Sequence, residues 1–340
     1  MSQPRLKRPR QAEVAALAGV SAMTVSRALR GEGGTSPENH ARVRAAAARL
    51  GYVPNRIASG LASARVPLVA VIVPSLSNMV FPEVLTGLTE ALKGSGLQIV
   101  IGKSDYDQQT EARILHEMLS WRPSAVVLTG LAHAPSVRAA LADADLPVVE
   151  ILDSDGVGID CIVGINQREA GAGVARAVAA LGYRRIGLMV PEGPRDERAA
   201  KRIQGFCDAL GQGPARVVAR HSYSGAGTLP RGKAMAAALL AAHPGIDLIY
   251  CANDLIAAGA LMHCHSAEIA VPGRLGIVGF SGLELLDGLH PRPATVDSHR
   301  KATGEAAGRM ILARLGGAAR GLRLELDCQL DPRETLSPRG

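Results

Sequence analysis

Aromatic residues are scarce in this chain of 340 residues, which has three Phe, five Tyr and one Trp. Hydrophobic residues still make up 47% of it, so a sizeable core must be built mainly from Ala, Val, Leu and Ile. Apolar runs of about 18 residues, the length that spans a bilayer, do not occur, and the basic N-terminus lacks the apolar stretch of a secretory signal. We therefore expect two or three domains in a cytoplasmic protein without a membrane partner.

Cysteine pairs with CxxC spacing are also absent, and the five cysteines are scattered along the chain. An odd number of scattered cysteines indicates reduced, mostly buried thiols. His263, Cys264 and His265 are adjacent, but neighbours one and two residues apart point in different directions from a helix and chelate a metal poorly. The sequence therefore predicts no metal site and no cofactor.

The motifs of several enzyme classes are missing as well. No Walker phosphate loop occurs, and Gly304 and Gly308 stand alone without a dinucleotide fingerprint. The segment GFSGL at residues 279–283 fails as a hydrolase nucleophile elbow, because Leu283 stands where that motif needs glycine. We therefore predict that the chain is not an enzyme and has no catalytic residue.

The net positive charge is concentrated at the N-terminal end of the chain. Residues 1–65 hold 11 Lys and Arg against 3 Asp and Glu, whereas the rest of the chain holds 27 against 28. A local excess of positive charge suits a phosphate backbone, although a solubilising tail has the same composition.

The basic segment has the pattern of three short helices. Gly19 can end the first helix in a left-handed conformation, Ser21 can cap the second, and Ser36 before Pro37 can cap the third, which ends at Gly51. The start of the first helix is the weak point, because Arg10 is a poor N-cap. The apolar positions expected to face inward are Val14, Leu17, Ala18, Val25, Ala28, Leu29, Val43, Ala47 and Leu50.

A helix, a glycine turn and a second helix are typical of a helix-turn-helix, whose second helix lies in the major groove of DNA. Ser21 and Thr24 at the start of that helix can bind phosphates together with the free backbone amides. Ala22 and Met23 would face the groove floor, and Arg27 is long enough to reach a guanine edge or a phosphate.

Beyond Arg65, short β-rich apolar runs alternate with helical patterns. The runs lack polar alternation, as strands buried on both faces do. They start at Leu68, Leu97, Ala125 and Pro147, and in a second series at Arg185, Arg216, Asp247 and Leu275. Two such series predict two α/β lobes with parallel sheets and crossover helices.

The motifs taken in order resemble the LacI/GalR family of bacterial repressors over nearly the whole chain. The N-terminal matches are Glu13-Val14-Ala15, Ala18-Gly19-Val20-Ser21, Thr24-Val25-Ser26-Arg27, Thr35-Ser36, Leu50-Gly51-Tyr52-Val53-Pro54-Asn55 and Ala58-Ser59-Gly60-Leu61. Later segments resemble the gluconate-operon repressor branch, among them PSLSNMVFPEVLTGL, PVVEILDS, RDERAAKRIQGF and CANDLIAAGAL.

The resemblance implies an α/β chain with an N-terminal three-helix helix-turn-helix domain, a hinge helix and a two-lobed effector domain. That effector domain has the periplasmic-binding-protein type I fold, built from doubly wound parallel sheets. The implied boundaries are 1–54 for the DNA-binding domain, 55–64 for the hinge helix and 65–340 for the effector-binding and dimerisation domain, with lobes at roughly 65–165 plus 296–323 and 166–295 plus 324–340.

The resemblance also implies residues that bind DNA. Leu61 matches a leucine that wedges between base pairs in the minor groove, although packing between domains is an alternative role. Ser59 stands where Arg is common, and Gly60 lowers the helix propensity of the hinge. The predicted DNA-binding residues are Ser21, Ala22, Met23, Thr24, Ser26, Arg27, Asn55 and Leu61.

In a fold of this kind, ligands bind between the lobes, beyond the carboxyl ends of the strands. The predicted ligand-binding residues are Ser75, Asn78, Phe81, Glu150, Arg198, Lys201, Arg202, Tyr223, Asn253 and Asp254. Helix capping is the alternative for Asn253 and Asp254, and core packing is the alternative for Tyr223. Glu150 lies inside an apolar strand and needs a partner there, for which we consider a sugar hydroxyl or an arginine.

The resulting prediction is a ligand-responsive, sequence-specific repressor of genes for the use of sugars or sugar acids. It would act as a homodimer on double-stranded operator DNA, and an effector such as gluconate or a phosphorylated relative would alter operator affinity, with induction favoured over corepression. The alternative is a sugar-binding receptor, or the lobe pair of an enzyme, that carries an unrelated basic tail.

Overall fold

The computed structural model describes residues 9–30, 34–53, 65–142, 144–193, 195–211 and 213–339. The chain divides into two compact units between Val66 and Pro67, and each unit has its own apolar core. The predicted hinge helix at 55–64, with Asn55 and Leu61, lies outside the described residues.

The first unit contains the three predicted helices, α1 (Gln11–Ala18), α2 (Ala22–Arg30) and α3 (Pro37–Leu50). Gly19 ends α1 with a φ of 64°, and Gly51 ends α3 with a φ of 62°, a conformation that glycine adopts without a steric penalty. The hydroxyl of Ser21 accepts the N–H of Thr24 at 3.1 Å, so it caps α2 as the sequence predicts.

Side chains of the first turn of α1 stabilise the start of that helix. The Glu13 carboxylate accepts the backbone N–H of Arg10 at 3.1 Å. The side-chain amide of Gln11 donates to the carbonyl of Ala22 at 2.8 Å and so ties α1 to α2. These two contacts compensate for the missing cap at Arg10.

The core of the first unit is made of small apolar residues. The predicted burial of Leu17 is wrong. Its side chain is 41% exposed, because the buried face of α1 includes Ala15 instead. The buried residues are Val14, Ala15, Ala18, Val25, Ala28, Val43, Ala46 and Ala47.

Helix length and apolarity bear on insertion into a membrane. No single helix within the described ranges is long and apolar enough to cross one. α1 and residues Ala22–Leu29 of α2, bent by 99° from one another, meet the limits of length and composition only when they are taken together.

The first lobe of the second unit is a six-stranded sheet with the order β11-β5-β4-β3-β1-β2. The pairs β1–β2, β3–β4, β4–β5 and β5–β11 are parallel, as the buried apolar runs predict. Its strands are β1 (Val66–Val73), β2 (Gln98–Lys103), β3 (Pro123–Thr129), β4 (Val148–Ile151), β5 (Cys161–Gly164) and β11 (Arg323–Glu325). Its helices are α4 (Val80–Ala91), α5 (Gln108–Leu119), α6 (Pro135–Ala142) and α11 (Arg300–Leu315).

The second lobe has a four-stranded parallel sheet with the order β7-β6-β8-β9. Its strands are β6 (Arg185–Pro191), β7 (Arg216–Tyr223), β8 (Leu248–Cys251) and β9 (Gly276–Val278), and its helices are α7 (Gln167–Ala180), α8 (Glu197–Leu210), α9 (Leu229–Ala242) and α10 (Asp254–Ser266). A short antiparallel pair, β10 (Thr295–Val296) with β12 (Leu330–Asp331), and a 3₁₀ helix at Glu284–Gly288 complete it.

Facing glycines bring α7 and α8 into direct backbone contact. A methyl group added at Gly171 of α7 would overlap the carbonyl oxygen of Arg202 on α8, and one added at Gly205 of α8 would overlap the carbonyl oxygen of Arg168 on α7. The two helices therefore pack closely, and positions on one are set by positions on the other.

We predict that Gly171→Ala lowers the free energy of unfolding of the second unit by about 1–3 kcal/mol, because the added methyl overpacks this contact. Urea denaturation followed by circular dichroism measures the change. Gly173→Ala in the same helix is the matched control. Its Cβ would meet only the end of the Arg176 side chain, at 3.9 Å, so the higher helix propensity of Ala should leave stability equal or up to about 1 kcal/mol higher. Equal destabilisation by both changes would contradict the contact.

Candidate functional site

A cleft of about 1090 Å³ lies between the two lobes of the second unit. Its walls are the loops that follow β1 and β2 in the first lobe and β6, β7 and β8 in the second, so it lies at the carboxyl ends of the strands. A side chamber of about 560 Å³ shares Tyr106, Arg195 and Arg198 with it. This is the place that the sequence predicts for a ligand.

Six of the ten predicted ligand residues lie in the wall of the cleft. They are Ser75, Asn78, Arg198, Arg202, Tyr223 and Asn253.

The first-lobe wall is held by polar side chains of the loop after β1. The hydroxyl of Ser75 accepts the backbone N–H of Ser77 at 3.3 Å and that of Asn78 at 3.2 Å. The amide of Asn78 donates to the hydroxyl of Tyr106 at 3.4 Å, and burial raises the pKa of that phenol. The wall therefore offers neutral hydroxyl and amide groups to a ligand.

In the second-lobe wall, two predicted residues form a hydrogen bond with each other. The side-chain amide of Asn253 donates to the hydroxyl of Tyr223 at 3.1 Å, and its oxygen accepts the N–H of Ile256 at 3.0 Å. Asn253 therefore lines the cleft and also caps α10, so both roles considered for it are present. Burial raises the pKa of Tyr223, which keeps its hydroxyl neutral.

Arg202 contributes a buried positive charge to the cleft. Its residue is 7% exposed, and its guanidinium donates to the Gln167 side-chain oxygen at 2.6 Å and to the Ala252 carbonyl at 3.2 Å. The same guanidinium lies 3.8 Å from the centre of the Phe280 ring. Burial lowers its pKa, and no described carboxylate comes within ion-pair distance of it. Its electrostatic environment favours an anion.

The other cations around Arg202 are neutralised more completely. Arg198 lies 3.5 Å from the carboxylate of Asp196, and Lys103 lies 2.8 Å from that of Asp105. These four residues also line the cleft. The wall also holds the exposed side chains of Glu192 and Arg195, so Arg202 is its buried cation without a described carboxylate at ion-pair distance.

Lys201 does not line the cleft, contrary to the prediction. Its ammonium group points away from the cavity to the first lobe, where it pairs with the Asp153 carboxylate at 2.7 Å and donates to the Asp155 carbonyl at 2.7 Å. On α8 the Lys201 side chain therefore points from a different face than that of Arg202.

Asp254 and Phe81 also lie outside the cleft wall. The Asp254 carboxylate is fully buried, accepts the Thr295 hydroxyl at 2.6 Å and the Leu283 N–H at 2.7 Å, and burial raises its pKa to about 6. Phe81 is fully buried in the core of the first lobe, and Arg198 lies over its ring at 5.5 Å. Both side chains support the wall from behind.

Glu150 has a different partner from either of those predicted. It is fully buried on β4, and its carboxylate accepts the Ile159 N–H at 2.5 Å and faces a ring nitrogen of His133 at 3.4 Å. The other ring nitrogen of His133 lies 2.7 Å from Glu111. Burial alone would lower the pKa of His133, but the hydrogen bond to Glu111 and the negative charges of Glu111 and Glu150 outweigh it and raise that pKa to about 9.

The sequence analysis missed Gln167 and Tyr106. Tyr106 follows β2, so the rule that places ligand residues after strands would have found it had it been applied to that strand. Gln167 begins α7 after β5, a strand of only four residues that the apolar pattern did not reveal.

In the first unit, the predicted DNA-binding residues at the start of and within α2 differ in exposure, and Thr24 and Ser26 are half-buried. Ser21, Ala22, Met23 and Arg27 are exposed, and Met23 is 66% exposed. The outer face of α2 is therefore open to a partner.

Two family models match the chain and together cover most of it. Residues 12–55 match bacterial regulatory proteins of the lacI family, and residues 67–322 match periplasmic binding proteins and the sugar-binding domain of the LacI family. The chain belongs to the LacI family. The resemblance predicted from the sequence is thus confirmed, and so are the α/β fold class and its N-terminal helix-turn-helix.

Individual LacI-family relatives are similar over most or nearly all of the chain. The HTH-type transcriptional regulator GntR of Pseudomonas aeruginosa is 34% identical over 334 residues, which are 96% of each chain. The crystal structure of a LacI-family transcriptional regulator from Silicibacter pomeroyi is 47% identical with a TM-score of 0.92, covering 97% of this chain and 99% of that one. The structure of GntR from Chromobacterium violaceum is 34% identical with a TM-score of 0.72, covering 79% of this chain and 99% of that one.

No group of three or more His, Cys, Asp or Glu residues suited to holding a metal ion occurs among the residues that the structure describes. His133 instead forms an internal cluster of ionisable groups with Glu111 and Glu150.

We predict that this cluster makes the free energy of unfolding fall as the pH becomes alkaline. Because the pKa of His133 is about 9 in the folded chain and near 6.5 when unfolded, its contribution is fully present below pH 6.5 and is lost as the pH rises through 9. The loss in the free energy of unfolding is on the order of 3 kcal/mol. Urea denaturation between pH 6.5 and 9.5 measures it. His133→Gln should flatten this slope, whereas the exposed His290→Gln should keep it, and an unchanged slope in His133→Gln would contradict the cluster.

Proposed function

We propose that this chain is a transcriptional repressor that binds operator DNA through its first unit and releases it when a sugar acid binds in the cleft. Gluconate or a phosphorylated relative is the proposed effector, and genes for sugar-acid use are the proposed targets. The observation that carries the proposal is the buried guanidinium of Arg202, which faces the cleft without a carboxylate partner.

The charge of the ligand follows from that guanidinium. A buried cation is costly unless it is paired, and a carboxylate is the anion that a guanidinium binds with matched geometry. The hydroxyl and amide groups of Ser75, Asn78 and Tyr106 lie across the cleft and suit the hydroxyls of a polyhydroxy chain. The similarity to regulators named GntR agrees with the resemblance to the gluconate-operon repressor branch.

The DNA partner follows from the first unit. α2 presents an exposed outer face with Arg27, after a turn that places it as the second helix of a helix-turn-helix. The same part of the chain carries the excess of positive charge. A single small unit of this kind binds weakly, so we include a homodimer that reads two half-sites about one helical turn apart.

The alternative function is a sugar-binding receptor or an enzyme lobe pair with an unrelated basic tail, and the match of residues 12–55 to bacterial regulatory proteins of the lacI family speaks against it. Removing residues 1–64 separates the two, because a repressor loses operator binding with that segment and keeps ligand binding. A truncated chain that still retards operator DNA would exclude the repressor proposal.

For the effector, we predict that gluconate binds and raises the operator Kd, and that Arg202→Met raises the gluconate Kd at least about tenfold, since hydrogen bonds to charged groups are worth about 1.5–3 kcal/mol. Isothermal titration measures ligand binding, and fluorescence anisotropy measures operator binding on a DNA site selected from a random library by the unmodified chain. Gluconamide, which lacks the charge, should bind weakly to both proteins.

Arg176→Met is the matched control, because Arg176 is exposed on α7 and pairs with Glu169 outside the cleft wall. It should leave the gluconate Kd unchanged. If millimolar gluconate changes neither the melting temperature nor operator affinity, gluconate is excluded, and a thermal-shift screen of other sugar acids and their phosphates then identifies the class.

For DNA, we predict that Arg27→Ala weakens operator binding at least about fivefold, as expected for the loss of a base or phosphate contact. Salt titrations by anisotropy distinguish the two contacts. A guanine contact would be lost only from the selected operator, whereas a phosphate contact would be lost from all DNA and would lower the salt slope by about one. Unchanged affinity for the selected operator would contradict the placement of α2 in the groove.

A further inference from the structure

The segment that follows β4, residues 152–157, lies against both lobes; we name it the strap. Cationic side chains from two elements of the first lobe donate to its carbonyl groups. Arg323 of β11 contacts Ser154 and Gly156, and Arg138 of α6 contacts Val157. These anchors belong to the first lobe, so they fix the strap to its own side of the cleft.

One connection, which we name the outer bridge, runs from the strap to the second lobe through Lys201 of α8. Its ammonium group meets the Asp153 carboxylate at 2.7 Å and the Asp155 carbonyl at 2.7 Å. The Asp153 side chain is fully buried and that of Lys201 is 13% exposed, so this ion pair is shielded from solvent. Arg168 of α7 adds a weaker contact to the Asp155 carboxylate at 3.5 Å.

A second connection, which we name the inner bridge, runs from the strap through Gln167 of α7 to Arg202 of α8. The Gln167 amide donates to the Leu152 carbonyl at 2.5 Å, and its oxygen accepts from the Arg202 guanidinium at 2.6 Å. Both polar atoms of this buried side chain are therefore engaged, one with each lobe. The bridge ends on the guanidinium that faces the cleft.

We propose that the Lys201–Asp153 ion pair is the latch that sets the spacing of the two lobes, so that it controls the response to the effector without touching the effector. Lys201 and Asp153 are thus positioning residues. The coupling to operator binding rests on the proposed function, whereas the latch itself is a property of the second unit.

The effector is sensed through this latch because the bridges share one helix and one strap. An anion on Arg202 attracts the guanidinium, which is also the donor to Gln167 and hence the link to Leu152. Lys201 is the next residue on α8 and holds the other end of the strap. A shift of α8 relative to the strap therefore changes both bridges together, and the shielded ion pair gives the two lobes one preferred spacing.

The experiment measures the ratio of operator Kd values with and without saturating gluconate. Lys201→Met and Asp153→Asn should each reduce that ratio at least about fivefold, while operator affinity without gluconate stays close to that of the unmodified chain. Lys201→Arg should retain most of the ratio, because it keeps the donor. The double variant should be no worse than either single variant, because the pair acts as one unit.

Lys301→Met is the matched control, since Lys301 forms an ion pair of 2.8 Å with Glu90 that is exposed and lies within the first lobe. It should leave the ratio unchanged. An unchanged ratio in both latch variants, or additive losses in the double variant, would overturn the latch.

Hydrogen exchange of the strap amides, measured without DNA or ligand, is the second readout. In the unmodified chain the N–H of Asp155 bonds to Asp153 and the N–H of Ser154 bonds to Ile165. Lys201→Met should speed exchange in the strap, and Lys301→Met should not; equal exchange in both would overturn the latch. If gluconate leaves the operator Kd of the unmodified chain unchanged, the proposed effector has failed, and this exchange comparison still decides the latch.

Discussion

A guanidinium held below the surface organises the cleft of this LacI-family chain. Removing an ion from water costs several kcal/mol, and the fold compensates with a neutral amide, a backbone carbonyl and the face of an aromatic ring. Arg202 meets these through Gln167, Ala252 and Phe280. None of them cancels its charge, so the site remains complementary to an anion.

Local patterns in the sequence predict most of the scaffold. The eight apolar runs correspond to β1–β4 and β6–β9. The interior strands are apolar because both of their faces are buried, whereas the edge strands β2 and β7 are only partly buried. Of the strands that were not predicted, β5 is as long as β4 and β8 and was overlooked, whereas β10, β11 and β12 are two or three residues long and lie outside the apolar runs. Leu17 was misplaced for a related reason: a helix of eight residues allows its apolar face to rotate by one position.

The candidate site was only partly predictable. A position after a strand can be read from the sequence, and it placed Ser75, Asn78 and Asn253 in the wall. The direction of a side chain on a helix depends on which lobe that helix faces, which is a property of the tertiary fold. Lys201 and Asp254 were therefore assigned to the cleft although their side chains bind Asp153 and Thr295.

The close contact between α7 and α8 has a consequence for how ligand preference can evolve. Gly171 and Gly205 let the two backbones touch, so Gln167 and Arg202 sit on what is mechanically one rigid piece. A substitution that moved either helix would disturb anion recognition and the attachment to the opposite lobe at once. The loop at residues 75–78 is not part of this helix pair, so its side chains can change the shape of the cleft wall without moving Gln167 or Arg202.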